Sequence, residues 1–297
     1  MAPNLTRRIL LGWEFGGGLG HVVSLREIAK QVGEAHPCEF LFALQTPQKG
    51  IAAGLPSHSV TAAPSFKRTS GGGKAQGRET YGEYVSENLM IEGGVFASRL
   101  AGWENIIRGF DPHLIIADYA PGLSLLARGR WPVLAVGNGY TMPPPEMAAF
   151  RPLAKLNRPL YATEPEIIDR LNKDLKKIGA QSIERLPQLN EADGYGLMTI
   201  PVFDPYRAQR QQPYLGAQVP GGMPTPRPAA SGGIAYFHED TQLDDNVLNG
   251  LVGANINMLA YFGKHLRRVV KKFSGSRVSL ADMPFNLHKD LPGKTVA

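Results

Sequence analysis

Arg7 to Val32, RRILLGWEFGGGLGHVVSLREIAKQV, reads as a buried strand, a glycine-rich turn and an amphipathic helix in immediate succession. Ile9, Leu10 and Leu11 form the uninterrupted apolar run of a central parallel strand covered on both faces. Gly16, Gly17, Gly18 and Gly20 supply a backbone that can turn sharply and lie close to a ligand. Val22, Leu25, Ile28, Ala29 and Val32 then recur at helical spacing, with Arg26, Glu27 and Lys30 on the other face. Such a turn presents backbone N–H groups and a helix N-terminus at the C-terminal edge of a sheet, a natural place for a polar ligand. His21 stands at its mouth.

The glycine pattern is not that of a dinucleotide site. G-x-G-x-x-G counted from Gly16 requires a third glycine where His21 stands. The next strand, Glu39 to Leu44, ends in Gln45 and Thr46, with no acid for a ribose diol. Gly293-Lys294-Thr295 resembles the tail of a phosphate-binding loop, but His288 occupies the position of the required upstream glycine.

Working outward, Glu39–Leu44 is a second buried strand and Ser59–Ala62 a short third. Ser65 to Arg78 is a polar, basic, glycine-rich loop. Tyr81 to Phe110 is helical, with a break expected near Gly93-Gly94, and stops before Asp111-Pro112. His113–Asp118 is a strand closing on an acid, Pro121–Arg130 a helix, and Pro132–Val136 a further strand. Thr141 to Pro145 makes a rigid loop, and Thr163–Gly179 a charged helix. This alternation predicts an α/β fold with a doubly wound parallel sheet.

Gln211 to Gly233 carries Pro213, Pro220, Pro224, Pro226 and Pro228 among small residues, a linker composition. Residues 1–210 are therefore expected as one Rossmann-like domain, 211–233 as linker and 234–297 as the start of a second. The second stretch alternates again: strand Ile234–Phe237, helix Leu243–Gly253, strand Ile256–Tyr261, a basic helix and strand Arg277–Leu280. About 80 residues is short for a complete α/β domain, so an incomplete one is expected.

Bulk properties narrow the functional classes. With 297 residues, 43% hydrophobic and 20% charged, the composition is that of an ordinary globular protein. The net charge of +6 is too diffuse to indicate nucleic acid, and the basic run His265–Lys272 reads as a solvated helix face. A single cysteine, Cys38, excludes an intramolecular disulfide and suits a reducing cytosol, so a cytoplasmic location is expected. The apolar stretch after Arg7-Arg8 stops at Gly12, too short for a signal peptide, and no later run is long enough for a transmembrane segment.

In a sheet of order 3-2-1-4-5 the first and fourth strands are neighbours, and the crevice beyond their C-terminal ends is the usual ligand site. That topology brings His21 and Asp118 together across ~100 positions. A carboxylate beside an imidazole fixes its tautomer and stabilises the imidazolium, which suits a general base acting on a hydroxyl. The same residues also read as a helix cap and a turn acceptor. Trp13, Phe15, Tyr119 and Tyr140 flank this edge and read as the lining of an apolar acceptor pocket, with core packing an equal reading for Trp13. The remaining histidines show no metal-ligand spacing, so no metal is expected.

GGGLGHVVSLREIAKQV resembles the N-terminal signature of GT-B glycosyltransferases, in particular the UDP-glycosyltransferase-like bacterial enzymes. HLIIADYAPGLSLLARGRWPVLAVGNGYTMPPP resembles that family's strand-end acid and acceptor-side loop, and GGIAYFHED with VSLADMPFNLHKDLP the opening of its second domain. The resemblance implies a GT-B fold, with the active site in a cleft between two Rossmann-like domains. It implies His21 as catalytic base and Asp118 as its partner. Gly17, Gly18, Gly20, Tyr119, Tyr140 and Thr141 become the expected acceptor- or ligand-binding residues.

The implied reaction is inverting transfer from a nucleotide-sugar donor, a UDP-sugar by family habit, to the hydroxyl of a small-molecule or lipid-like acceptor. No cofactor is implied; peripheral membrane contact is compatible with a lipid-like acceptor. The family's His- and Gly-rich donor segment has no counterpart downstream of the linker, and the sequence closes on DLPGKTVA. A truncated transferase is the expectation, and a non-catalytic acceptor- or partner-binding remnant the alternative.

Overall fold

The computed structural model describes residues 6–64, 80–89, 95–153, 162–218, 232–237, 243–283 and 285. The loop expected at Ser65–Arg78, the break at Gly93-Gly94, the proline run Pro220–Pro228 and the stretch from Asn286 to Ala297 lie outside these residues. The chain divides into two compact units, Met1–Pro220 and Gly221–Ala297.

The first unit opens with β1 (Arg7–Trp13), α1 (Gly20–Ala35), β2 (Cys38–Leu44), α2 (Pro47–Ala52) and β3 (Val60–Ala62). It continues through α3 (Tyr81–Leu89), α4 (Val95–Phe110), β4 (Leu114–Asp118), α5 (Pro121–Ala127) and β5 (Val133–Gly137). It closes with α6 (Glu164–Lys177) and β6 (Gly194–Leu197). The six strands form one parallel sheet in the order β3-β2-β1-β4-β5-β6.

Both faces of this sheet are covered, which is why its strands are continuous apolar runs rather than alternating ones. Ile9, Leu11 and Trp13 pack with Val22, Leu25 and Ala29 of α1 on one face. Leu10, Ile115 and Ala117 pack with Leu100, Trp103 and Leu123 of α4 and α5 on the other. The reversal of strand order between β1 and β4 makes the switch-point crevice that the alternation predicted.

Two elements were not legible. Helix α2 is short, and β6, with the sequence GYGL, carries two glycines where a strand pattern wants branched residues. Those glycines let β6 lie close to β5: a Cβ on Gly194 or Gly196 would meet Leu134 or Val136 at 3.2 and 3.1 Å. The expected linker also starts too early. Residues 211–218 pack on the first unit, with Gln212 buried, Tyr214 bridged to Leu197, and Gln218 bonded to Ser24.

In the second unit β7 (Gly233–Tyr236), α7 (Asp245–Gly253), β8 (Met258–Tyr261), α8 (Leu266–Phe273) and β9 (Val278–Ala281) alternate as expected. The strands are parallel in the order β7-β8-β9. Leu248, Ala260, Phe262, Val269, Phe273 and Val278 form its core. Arg267, Arg268 and Lys271 lie on the exposed side of α8, the solvated basic face that the helical spacing predicts.

Close approach of β1 to the α4–α5 layer depends on Gly12. A Cβ there would stand 2.3 Å from Cδ2 of Leu123 and 3.2 Å from Cη2 of Trp103, both fully buried. Gly12→Ala should therefore destabilise the protein by about 1–3 kcal/mol through overpacking. Urea unfolding measures this, and a variant as stable as the wild type would contradict the tight contact.

Candidate functional site

The register of the central pair sets the site. Trp13, the last residue of β1, is the cross-strand partner of Asp118, the last residue of β4. Beyond Trp13 the chain makes the glycine turn, with Gly16 and Gly18 in the left-handed region at φ +89° and +75°. Helix α1 follows without a side-chain cap at its N-terminus. A Cβ on Gly16 would lie 2.6 Å from Nε2 of His21, so only glycine leaves room for the ring.

His21 Nδ1 lies 3.0 Å from Oδ2 of Asp118. The carboxylate is buried and the imidazole only slightly exposed. With the carboxylate as acceptor, Nδ1 carries the proton and Nε2 keeps its lone pair free to take another. The ring is held flat against Trp13, centroids 5.3 Å apart at 20°, and tilted against Tyr119 at 5.9 Å. Trp13 thus serves both readings of its sequence position, fully buried and in contact with the site.

Beyond Asp118 the chain turns through Tyr119, a non-glycine residue at φ +48°, and α5 begins with Pro121. Left-handed backbone at such a residue is costly and persists only where its surroundings over-determine it. Here the Tyr119 carbonyl accepts from Phe15 N–H at 3.1 Å, and the ring lies among Phe15, Tyr81, Tyr84 and Tyr140.

A second link between the two strand ends is Glu14, which the sequence reading passed over. Its carboxyl is fully buried. Oε1 accepts from Trp103 Nε1 and from Leu123 N–H, both at 2.6 Å, and Oε2 from Gly122 N–H at 2.8 Å. Two of these donors are orphan N–H groups in the first turn of α5, which a carboxylate satisfies like a cap. Burial dominates nonetheless, pushing its pKa up to about 8 against the three donors and the charge of Arg99.

A cavity of about 320 Å³ opens at this edge. Of the residues expected from sequence, His21, Asp118, Gly17, Gly20 and Thr141 line it. Gly18, Tyr119 and Tyr140 do not. Gly18 belongs to the turn behind it, and the two tyrosine rings belong to the buried aromatic cluster, 6.4 Å apart and edge to face.

The cavity also recruits residues the sequence reading missed: Ser24, Gly137, Asn138, Met198 and Gln218 among them. Ser24 lies one turn beyond His21 on α1, and Asn138 directly follows β5, so the strand-end rule that found Asp118 also reaches Asn138. Asn138 shapes its loop, its Oδ1 accepting from the N–H groups of Tyr140 and Thr141 at 2.9 and 3.0 Å. Ser24 Oγ donates to Gln218 Oε1 at 2.6 Å. Among the described residues no cluster of His, Cys, Asp and Glu is suited to hold a metal ion.

No protein-family model matches the chain, and no curated protein matches it. Solved structures do. CalG4, the calicheamicin glycosyltransferase, matches with a TM-score of 0.58 at 16% identity, over 94% of this chain and 71% of its own. The glycotransferase of kitacinnamycin matches with 0.60 at 12% identity, over 95% and 72%. Glycosyltransferase VinC, solved with dTDP, matches with 0.54 at 13% identity, over 93% and 72%. The fold is that of the GT-B glycosyltransferases. In GT-B terms the cavity lies at the C-terminal edge of the first unit's sheet, and all its lining residues come from that unit. Among the described residues no helix is long and apolar enough to cross a membrane.

The buried carboxyl of Glu14 gives stability a pH dependence. Its native pKa of about 8 lies above the unfolded value near 4.5, so the native state holds the extra proton between them. Its contribution is fully present below about pH 4.5 and is lost as pH rises through 8, with a slope of at most about 1.4 kcal/mol per pH unit. Glu14→Gln removes that slope. It also leaves an amide N–H₂ facing the N–H of Gly122, at a cost of about 1–3 kcal/mol. Urea midpoints of both proteins from pH 5 to 8 should converge and then cross as pH rises, and parallel curves would contradict the assignment.

Proposed function

We propose that the chain is the acceptor-activating part of an inverting glycosyltransferase using a nucleoside-diphosphate sugar. The observation that carries this reading is the 3.0 Å contact between His21 Nδ1 and Asp118 at the wall of the cavity. Nε2 of His21 removes the proton from an acceptor hydroxyl as its oxygen attacks the anomeric carbon of the donor. The bond to the diphosphate breaks, the configuration inverts, and the nucleoside diphosphate departs with the electron pair. Asp118 holds the ring in the required tautomer and stabilises the imidazolium.

The donor is a UDP- or TDP-sugar. The UDP reading follows the sequence resemblance and the UDP-glucosyltransferase among the similar structures; the TDP reading follows dTDP-bound VinC. The acceptor is a small molecule with a free hydroxyl. The uncapped N-terminus of α1, with Gly17 and Gly20 at the cavity wall, favours negative charge on whatever occupies it.

The test is transfer from UDP-glucose and TDP-glucose to a panel of phenolic and aliphatic alcohols, followed by mass spectrometry. His21→Ala should lower the rate by roughly 10²–10⁴-fold. Asp118→Asn, which leaves the tautomer unfixed, should lower it roughly a hundredfold or more. Undiminished transfer by the His21 variant would remove the base assignment, and no transfer by the wild type from either donor would remove the transferase reading for this polypeptide.

A further inference from the structure

The loop that follows β5 brings Asn138 and Thr141 to the cavity, and α3 touches it through one long bond, the Tyr81 hydroxyl donating to the Thr141 carbonyl at 3.4 Å. Its further anchor is an arginine from the segment after β6. Arg210 is almost completely buried, its side chain 1% exposed, and forms a two-pronged pair with fully buried Asp204. Nε donates to Asp204 Oδ2 at 2.8 Å and Nη2 to Oδ1 at 3.2 Å. The remaining donors reach the loop backbone: Nη1 to the Met142 carbonyl at 2.8 Å and Nη2 to the Gly139 carbonyl at 3.3 Å. A planar fork with five donors suits this task, and a lysine has no equivalent reach.

Asp204 is fixed in turn. Tyr206 N–H donates to Oδ1 at 2.9 Å and the Tyr214 hydroxyl to Oδ2 at 2.8 Å. Burial raises its pKa, but Arg210, Tyr206 and Tyr214 outweigh that and keep it low, so the pair stays charged. Gly139 packs directly on it: a Cβ there would stand 2.8 Å from the Asp204 Cα. The other end of the loop is held separately, by Arg185 donating to the carbonyls of Pro145, Glu146 and Met147.

We propose that Arg210 is a positioning residue for the ligand cavity, setting the placement of Asn138 and Thr141 and thereby acceptor selectivity. Arg210 bonds the loop at Gly139 and Met142, on either side of Thr141, whereas Arg185 bonds it only at 145–147. It also joins the two walls of the cavity, because Arg210 comes from the same segment, 198–218, that supplies Met198 and Gln218. The selectivity part of the inference rests on the proposed transferase function, but the placement of the loop does not.

The test compares the wild type with Arg210→Lys, Tyr214→Phe and Arg185→Lys as full-length chains. Amide hydrogen exchange should accelerate roughly tenfold or more at residues 140–142 in Arg210→Lys, with α1 and β1 unchanged. Tyr214→Phe, which removes a single bond to Asp204, should act in the same direction and keeps the measurement informative if the lysine variant does not fold. In the transfer assay the acceptor KM should rise roughly tenfold in Arg210→Lys with kcat within about twofold, since the base is untouched. Arg185→Lys should leave both values at wild type. Unchanged exchange at 140–142 in Tyr214→Phe and Arg210→Lys, or an equal KM change in Arg185→Lys, would overturn the proposal. A wild type that transfers no sugar removes the transferase reading, while the exchange comparison still decides the role of Arg210.

Discussion

The carboxyl of Glu14 is the point on which the first unit's functional edge depends. It leaves β1 one residue after the strand ends and is received by a tryptophan of α4 and by two N–H groups opening α5. Those N–H groups have no intrahelical partner in any helix, and burial without one would be expensive. One side chain therefore closes three accounts: it caps α5, satisfies the Trp103 indole, and fixes where the glycine turn departs from the sheet. The Phe15–Tyr119 backbone bond adds a second tie between the same two loops. Between them, the turn carrying His21 and the turn following Asp118 are locked at a fixed separation.

That separation fixes how His21 and Asp118 face one another. Parallel register puts Trp13 opposite Asp118, so the indole that ends β1 becomes the surface against which the imidazole lies. Left-handed backbone at Gly16 makes room for the ring, and left-handed backbone at Tyr119 swings the chain away behind the carboxylate. An imidazole so confined has one orientation, with Nδ1 toward the acid. Low solvent access strengthens the pair electrostatically, because a buried contact is poorly screened.

The fold was legible because its signals are long. Apolar runs separated by helical periodicity state a doubly wound sheet, and the sheet order then forces positions 21 and 118 together without any local signal connecting them. Thr141, Gly17 and Gly20 followed from the same edge rule. Tyr119 and Tyr140 do not line the cavity, since sequence gives a residue's position along a strand end but not its χ angles; their rings lie in the aromatic cluster, Tyr119 against His21. Glu14 escaped for a related reason. An acid beside glycines looks exposed, and its partners are backbone groups more than a hundred positions away. Gln218 was hidden by composition, since prolines and glycines read as linker even where the chain is still packed on the first unit.

The arrangement also divides the proposed chemistry by unit. The imidazole, its carboxylate, the helix N-terminus and every lining residue of the cavity belong to Met1–Pro220. In the proposed reaction, proton removal from a hydroxyl needs a base, an orienting acid and a walled space beside them, and His21, Asp118 and the cavity all belong to the first unit. Supports for that space come from residues late in the unit, Asp204, Arg210 and Gln218, which lie just before the chain passes to the second unit. The segment that leads out of the first unit is thus the same one that shapes its cavity.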